Sequence, residues 1–224
     1  MNGIILVDKP QGWSSFDIIR KFRNQLSTSN GQAPKMGHAG TLDPMATGLV
    51  IVLVGNYTKK QDKFMKLDKV YEAKITLGSN SDTDDAEGNT TKISDHQPRQ
   101  DVIESALNSF IGNISQIPPQ FSAIKVDGVR AYKKARSGGS TKLKARDVNI
   151  YSIELLDYDY PTISIRCEVG SGTYIRSLAR DLGASINTGA YLSGLRRLSI
   201  GDLSVEDAIS PEDVTARNII NVDN

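Results

Sequence analysis

The chain has 224 residues, of which 27 are Lys or Arg and 26 are Asp or Glu, and the formal net charge of +1 argues against a uniformly basic nucleic-acid binder. A hydrophobic fraction of 38% is enough for a sizeable core. One cysteine and two histidines exclude a disulfide framework, a zinc finger and a His-rich zinc site.

Three strands and one helix are predicted in the first eighty residues. Residues 4–7 are typical of a buried strand, and Ser14 or Ser15 can cap the helix that follows. Residues 49–54 form a wholly apolar strand, and residues 70–77 alternate strictly, with Tyr71 on the apolar face. Tyr71 is then either a core tyrosine or a platform on which a nucleobase stacks. The apolar stripe of the predicted helix comprises Phe16, Ile19, Phe22 and Leu26.

The rest of the chain mixes both element types. The acidic segment 79–89 does not have the ligand spacing of an EF-hand and is interpreted as a solvated loop. The next predicted element is a helix that is marked by apolar residues from Val102 to Phe110 and ends at Gly112. A strand over 163–169 follows, and then a helix capped by Thr173 and ending at Gly183. Because the spacing is not a regular βαβ repeat, the sequence predicts an α+β fold with a mixed sheet in one contiguous domain. The N-terminus lacks a signal-peptide pattern and the longest apolar run has six residues, so we expect a soluble cytoplasmic protein with no membrane contact.

The segment 37–48 is the densest unusual stretch. Its three glycines and one proline are not compatible with a regular helix or strand. It presents one imidazole, His38, and one carboxylate, Asp43, just before a buried strand, which is a frequent arrangement for catalytic groups. The alternative is a simple turn closed by an Asx hydrogen bond.

A second candidate segment, residues 170–176, follows a strand and opens a helix. It is not a dinucleotide fingerprint, because Ile175 occupies the third glycine position. Arg176 lies in the first helical turn, where a cation opposes the helix dipole unless a buried carboxylate meets it. The alternative is an exposed arginine on a solvated face.

Positive charge is concentrated between residues 125 and 146, where eight cations stand against the single acid Asp127, a net charge of +7 within 22 residues. Such a segment fits contact with a phosphate backbone. The alternative is a solvated charged loop.

Five blocks, taken in order, resemble the TruB-type pseudouridine synthases over about residues 3–209. The blocks are Asp8-Lys9-Pro10 with Gly12 and Ser14; residues 37–48; residues 67–84, which include Asp68-Lys69-Val70-Tyr71; residues 118–136, which include Ser122 and Lys125; and Gly172-Thr173-Tyr174-Ile175-Arg176 with Leu195-Arg196-Arg197-Leu198.

The resemblance implies a pseudouridine synthase fold with a mixed, largely antiparallel central sheet flanked by helices, and isomerisation of the T-loop uridine of tRNA (tRNA position 55) after base flipping. Asp43 would be the catalytic aspartate, Tyr71 would contact the base and accept the C5 proton, and Arg176 would pair with Asp43. Tyr174 and Leu195 would line the pocket, and His38 would fill the space of the flipped nucleotide. Lys9 and Pro10 would support the Asp43 loop. The cations expected to bind RNA are Lys125, Arg130, Lys133, Lys134 and Arg136.

The proposed chemistry requires no metal, redox group or other cofactor, and tRNA is the expected partner with no obligate protein partner. The expected organisation is a catalytic domain over 1–209 with a basic insertion at about 119–146, then a short tail over 210–224 in place of the family's C-terminal RNA-binding domain. Two other functions stay open: a non-catalytic RNA-binding or tRNA-folding module, and a hydrolase with Asp43 as nucleophile. The sequence also departs from the family at Ser171, where a lysine is more frequent.

Overall fold

The structure is a computed structural model that describes residues 1–27, 32–122, 124–126, 129–131, 134, 139 and 142–222. The chain forms two compact units, one comprising Met1–Glu72 with Leu195–Asn224 and the other Ala73–Gly194. The strands are β1 (Gly3–Lys9), β2 (Met36–His38), β3 (Thr47–Val54), β4 (Lys69–Leu77), β5 (Ser79–Ser81), β6 (Thr90–Lys92), β7 (Gly112–Gln116), β8 (Lys125–Val126), β9 (Val129–Arg130), β10 (Arg146–Asp159), β11 (Thr162–Val169), β12 (Ala190–Ile200) and β13 (Leu203–Ser204). The α-helices are α1 (Ser15–Gln25), α2 (Gln61–Met65), α3 (Gln100–Asn108) and α4 (Ile175–Ser185).

Strand β3 is the centre of the first unit. It pairs antiparallel with β1, from Gly3 opposite Val54 to Lys9 opposite Gly48, and antiparallel with β2. Its first two residues pair in parallel with β12, and the predicted strand 49–54 is fully buried within it. The core of this unit therefore lies on the strand that directly follows the Asp43 loop.

Helix α1 confirms one sequence prediction and corrects another. Ser14 caps it through a capping box with Asp17, and Ile19 and Phe22 are buried as predicted. The prediction for Phe16 is wrong, since this side chain is 58% exposed. The buried face is centred near Phe22, and at 100° per residue Phe16 lies roughly a third of a turn away from that centre.

The C-terminal segment packs along β1. The amide of Asp8 donates to Ile209 O at 2.9 Å and the amide of Ile209 donates to Leu6 O at 3.0 Å. Further along, Ile4 and Ile220 exchange two hydrogen bonds of 2.9 Å each. These bonds cover the edge of β1 that β3 does not pair, which protects it from pairing with another chain.

In the second unit, β10 pairs antiparallel with both β11 and β7. The alternation predicted for 163–169 is confirmed, because Ile163, Ile165, Cys167 and Val169 are all buried. Helix α4 begins one residue later than predicted, with Tyr174 as its N-cap, and continues past Gly183 to Ser185. Thr173 does not cap it: its hydroxyl donates to Gly170 O at 2.9 Å.

The elements confirm the predicted α+β class with a mixed, largely antiparallel sheet, since the β12–β3 pairing is parallel and the β1–β3 and β10–β11 pairings are antiparallel. In the part of the chain that the structure describes, no helix is long and apolar enough to cross a membrane.

Candidate active site

Asp43 lies in the connection between β2 and β3, half-buried. This loop is shorter than predicted, because Gly37 and His38 belong to β2. The Asp43 carbonyl accepts the amide of Ala46 at 3.1 Å, which makes a turn, and Leu42 exchanges two hydrogen bonds with the Ser15 hydroxyl, at 3.0 and 3.3 Å. The backbone on either side of Asp43 is therefore held in place.

Lys9 supports the same loop from below, as the resemblance implied. Its side chain is fully buried, and Nζ donates to Trp13 O at 2.7 Å, Pro10 O at 2.9 Å and Pro44 O at 3.3 Å. The three acceptors match the three protons of an ammonium group. One of them belongs to the residue that follows Asp43, so Lys9 ties the Asp43 loop to the turn after β1.

Arg197 is the residue in this unit that sequence reasoning missed. It is 1% exposed, and its Nε donates to Leu49 O at 2.7 Å while Nη2 donates to Gly40 O at 3.3 Å. These carbonyls lie on the two sides of Asp43. Position 48 requires a glycine, because the Cβ of any other residue there would lie 2.2 Å from the backbone oxygen of Arg197. In the sequence, Arg197 stands out only as a member of the block Leu195-Arg196-Arg197-Leu198, and nothing there indicates that its side chain is buried.

His38 ends β2 and is half-buried. Its carbonyl accepts Gln61 Nε2 at 3.0 Å, and within the described residues its buried Nδ1 has no hydrogen-bond partner. Burial, and then the charge of Arg197, lower the pKa of His38 below its usual value. The imidazole is therefore neutral at physiological pH.

Tyr71 and Lys69 share the buried face of β4. Tyr71 is 8% exposed, which agrees with its predicted place on the apolar face of the strand. Lys69 Nζ donates to Met65 O and Leu67 O, both at 2.6 Å, and burial together with Arg197 lowers the pKa of Lys69 to about 8. Leu195 is half-buried on β12.

In the second unit, Arg176 is buried and meets a carboxylate. Its Nη1 donates to Asp85 Oδ2 at 3.1 Å and its Nη2 donates to Phe121 O at 2.9 Å. The exposed alternative for Arg176 is thus wrong. Its pairing with Asp43, which lies in the other unit, stays a prediction.

The interpretation of segment 79–89 as a solvated loop is also wrong. Asp85 is 2% exposed, and its second oxygen accepts the Thr83 hydroxyl at 2.5 Å and the Glu87 amide at 3.0 Å. Asp84, at a positive φ of 62°, pairs with Arg180 at 2.8 Å. Burial raises the pKa of Asp84, with Arg180 opposing this shift. The spacing of the acidic residues in this segment did not indicate that arginines of helix α4 would pair with Asp84 and Asp85.

Tyr174 is half-buried at the N-terminus of α4. The side chain of Gln116, which is 1% exposed, contacts both polar groups of its backbone: Tyr174 N donates to Gln116 Oε1 at 2.9 Å and Gln116 Nε2 donates to Tyr174 O at 3.2 Å. Gln116 was not among the predicted site residues.

The predicted RNA-gripping cations fall in a segment that is described only in part. Lys125 and Arg130 are register partners in the antiparallel pairing of the backbones of β8 and β9, and Lys134 is half-buried. Lys133 and Arg136 lie outside the described residues. Among the residues that are described, no group of three or more His, Cys, Asp or Glu could hold a metal ion.

Comparison with known proteins supports one assignment. The family model described as TruB family pseudouridylate synthase (N terminal domain) matches residues 25–175. The tRNA pseudouridine synthase B of Parabacteroides distasonis is 44% identical over 214 residues, covering 94% of this chain and 91% of that protein. The tRNA pseudouridine synthase B of Thermobifida fusca is 40% identical, with coverage of 96% and 75%.

Solved structures agree with the sequence matches. A Cbf5–Nop10–Gar1 complex gives a TM-score of 0.71 at 28% identity and covers 94% of this chain and 53% of that chain. An H/ACA RNP bound to a substrate RNA containing 2′-deoxyuridine gives 0.69 at 26% identity, with coverage of 94% and 51%. This chain therefore spans about half the length of those solved chains.

The fold and these matches define a pseudouridylate synthase, an enzyme of the isomerase class. The chain belongs to the TruB family of these enzymes. The predicted family, fold class and enzyme class are confirmed.

Proposed function

We propose that this enzyme isomerises the T-loop uridine of tRNA to pseudouridine, with Asp43 as the nucleophile or base. The proposal is carried by one observation: two fully buried cations, Lys9 and Arg197, bind backbone carbonyls on both sides of a half-buried aspartate. A reacting group must be held rigidly to act at a defined atom, and the hydrogen bonds from Lys9 and Arg197 hold the backbone of this loop in place. The tRNA substrate is supported by relatives named tRNA pseudouridine synthase B.

The reaction breaks the N1–C1′ bond of the nucleotide and forms a C5–C1′ bond. C5 loses its proton and N1 gains one, so the product is an isomer of the substrate. Asp43 can attack C1′, add to C6 of the ring, or remove a ribose proton to give a glycal. Each route requires the carboxylate form. Arg197 and Lys9 bring two buried positive charges to backbone carbonyls of the same loop, at Gly40 and Pro44.

The other predicted residues then have defined tasks. Tyr71 accepts the C5 proton, and Tyr174 and Leu195 line the base pocket. Arg176 pairs with the Asp43 carboxylate. His38, neutral at physiological pH, takes the place of the flipped nucleotide without adding charge. Base flipping costs a few kcal/mol, which stacking on an aromatic ring offsets.

The test is release of tritium from a T-loop transcript labelled at uridine C5, together with mapping of the modified nucleotide. Asp43→Asn should lower the rate by at least about a thousandfold, because the nucleophile is lost. Asp62→Asn, at an exposed position of the same unit, is the matched control and should leave the rate unchanged. Tritium release by Asp43→Asn at the wild-type rate would refute the role of Asp43, and modification outside the T-loop would refute the substrate position. Free uracil as the product would indicate a hydrolase.

A further inference from the structure

Helix α4 carries two proposed site residues but lacks a capping side chain of its own. Its N-cap is Tyr174, which makes no side-chain cap hydrogen bond. Tyrosine is not among the residues that cap helices, and the first amides of a helix need acceptors from elsewhere. The N-cap amide nevertheless has an acceptor, the side-chain oxygen of Gln116 at 2.9 Å.

Gln116 performs the task that a Glu or Gln at the third helical position performs in a capping box, where the side chain returns to the N-cap amide. In α4 the third position is Ser177, whose hydroxyl points elsewhere and donates to Ile117 O at 2.8 Å. In α4 the N-cap amide therefore receives its side-chain acceptor from Gln116, which lies 58 positions before Tyr174 in the chain.

The contact is specific, because both ends of the Gln116 amide are used. Nε2 donates to Tyr174 O at 3.2 Å, the same carbonyl that accepts the amide of Leu178 in the first helical hydrogen bond, at 3.1 Å. Ile117 O accepts Arg180 Nη2 at 2.9 Å as well as the Ser177 hydroxyl. Four hydrogen bonds therefore join the end of β7 to the first two turns of α4.

Gln116 is itself rigidly placed. It is 1% exposed, and its backbone is opposite Arg146 in the β7–β10 pairing. A buried carboxamide on a sheet strand is a rigid reference point for a helix end. Tyr174 and Arg176 lie at and just after that end, and their positions depend on it.

We propose that Gln116 is a positioning residue for catalysis, which caps α4 from β7 and thereby places Tyr174 and Arg176. The inference depends on the proposed function, since it assumes that these two residues act on the target base. A displacement of about 1 Å at reacting groups can cost a hundredfold in rate.

Gln116→Met removes both hydrogen bonds at similar volume. We expect kcat for pseudouridine formation to fall between about 10- and 100-fold while KM for tRNA changes less than about twofold, because the Gln116 side chain is buried, at 1% exposed. Gln116→Glu keeps the acceptor for the Tyr174 amide and loses the donor, so its kcat should lie between the wild type and Gln116→Met. Gln100→Met makes the same chemical change at an exposed position of the same unit and should leave kcat unchanged.

A double-mutant cycle distinguishes positioning from general destabilisation. All variants are assayed well below their melting temperatures. If Gln116 acts in part through Tyr174, Gln116→Met should lower kcat by a smaller factor in a Tyr174→Ala background than in the wild type. Losses that multiply in the double variant, or a wild-type kcat for Gln116→Met, would overturn the proposal. Failure of the proposed function would appear separately, as full activity of Asp43→Asn.

Discussion

Arg176 and Asp85 form a buried ion pair in which Nη1 lies 3.1 Å from Oδ2 and the two side chains are 7% and 3% exposed. The pair resolves an apparent conflict in the sequence, because a cation in the first turn of a helix is opposed by the helix dipole. Asp85 compensates that cation, and the Phe121 carbonyl accepts from its other terminal nitrogen at 2.9 Å. Several consequences for stability and activity can be measured.

Asp85→Asn should lower the free energy of unfolding by about 3–5 kcal/mol, because it breaks a buried ion pair by removing one of its charges. Urea denaturation measures the loss. Asp82→Asn, in the same turn but exposed, should cost less than about 1 kcal/mol. Equal losses for the two variants would contradict the importance of the buried pair.

Arg197→Met should both destabilise the protein and slow catalysis. Leu49 O and Gly40 O lose this donor, and the loss at the buried Leu49 carbonyl costs about 1–3 kcal/mol. The neighbouring Arg196→Met breaks a partly exposed pair with Asp8 and should cost less than about 1 kcal/mol. Chemical denaturation measures the loss of stability, and tritium release measures the loss of activity. A wild-type kcat for Arg197→Met would show that the hydrogen bonds from Arg197 to the Asp43 loop are not needed for the reaction.

Lys69 should make the protein more stable in mild alkali. The pKa of Lys69 is about 8 in the folded state against an ordinary value of 10.5 in the unfolded chain, so between these pH values the unfolded chain binds more protons. The free energy of unfolding should therefore rise with pH across this window, by up to about 3 kcal/mol. Denaturation at pH 7.5 and 9.5 should show the rise in wild type and in the exposed control Lys66→Met. The rise should be lost in Lys69→Met, and its persistence there would assign it to another group.

His38 should destabilise the protein in mild acid. Its folded pKa is lowered from 6.5 by burial and by Arg197, so below pH 6.5 the unfolded chain takes up a proton that the folded chain does not. Stability should fall as the pH drops from 6.5 toward 5. The fall should be smaller in His38→Gln and unaltered in His96→Gln, the exposed control. Melting curves at several pH values measure it, and identical pH dependence in both variants would count against His38.

The basic segment should govern the salt dependence of tRNA binding. Replacing Lys125, Arg130 and Lys134 with Gln should weaken binding and reduce the slope of log K against log salt by up to about three, because each cation in contact with a phosphate releases counterions. Binding titrations over a range of salt concentrations measure the slope. The same substitution at Lys92, Arg99 and Arg217, three exposed cations elsewhere, should leave it unchanged. An unaltered slope in the first variant would show that these cations do not touch phosphates.

Local patterns predicted the elements that carry the site. The alternation of residues 70–77 placed Tyr71 on a buried face, and the glycine- and proline-rich stretch placed Asp43 in a loop before a buried strand. Both predictions hold because side-chain periodicity and backbone restriction act over a few residues. The Phe16 and Thr173 predictions failed at the ends of helices, where a shift of one or two residues changes the face or the cap.

The sequence by itself determined the family, the fold class and the candidate aspartate. It also showed that positive charge is concentrated in one segment, although the net charge of the chain is only +1. Only the tertiary structure decided which buried polar groups meet. Asp85 and Arg176 are 91 positions apart, and Leu49 and Arg197 are 148 apart. A buried charge must find a partner or an acceptor, but its identity depends on which strands and helices pack together. No local pattern encodes that choice.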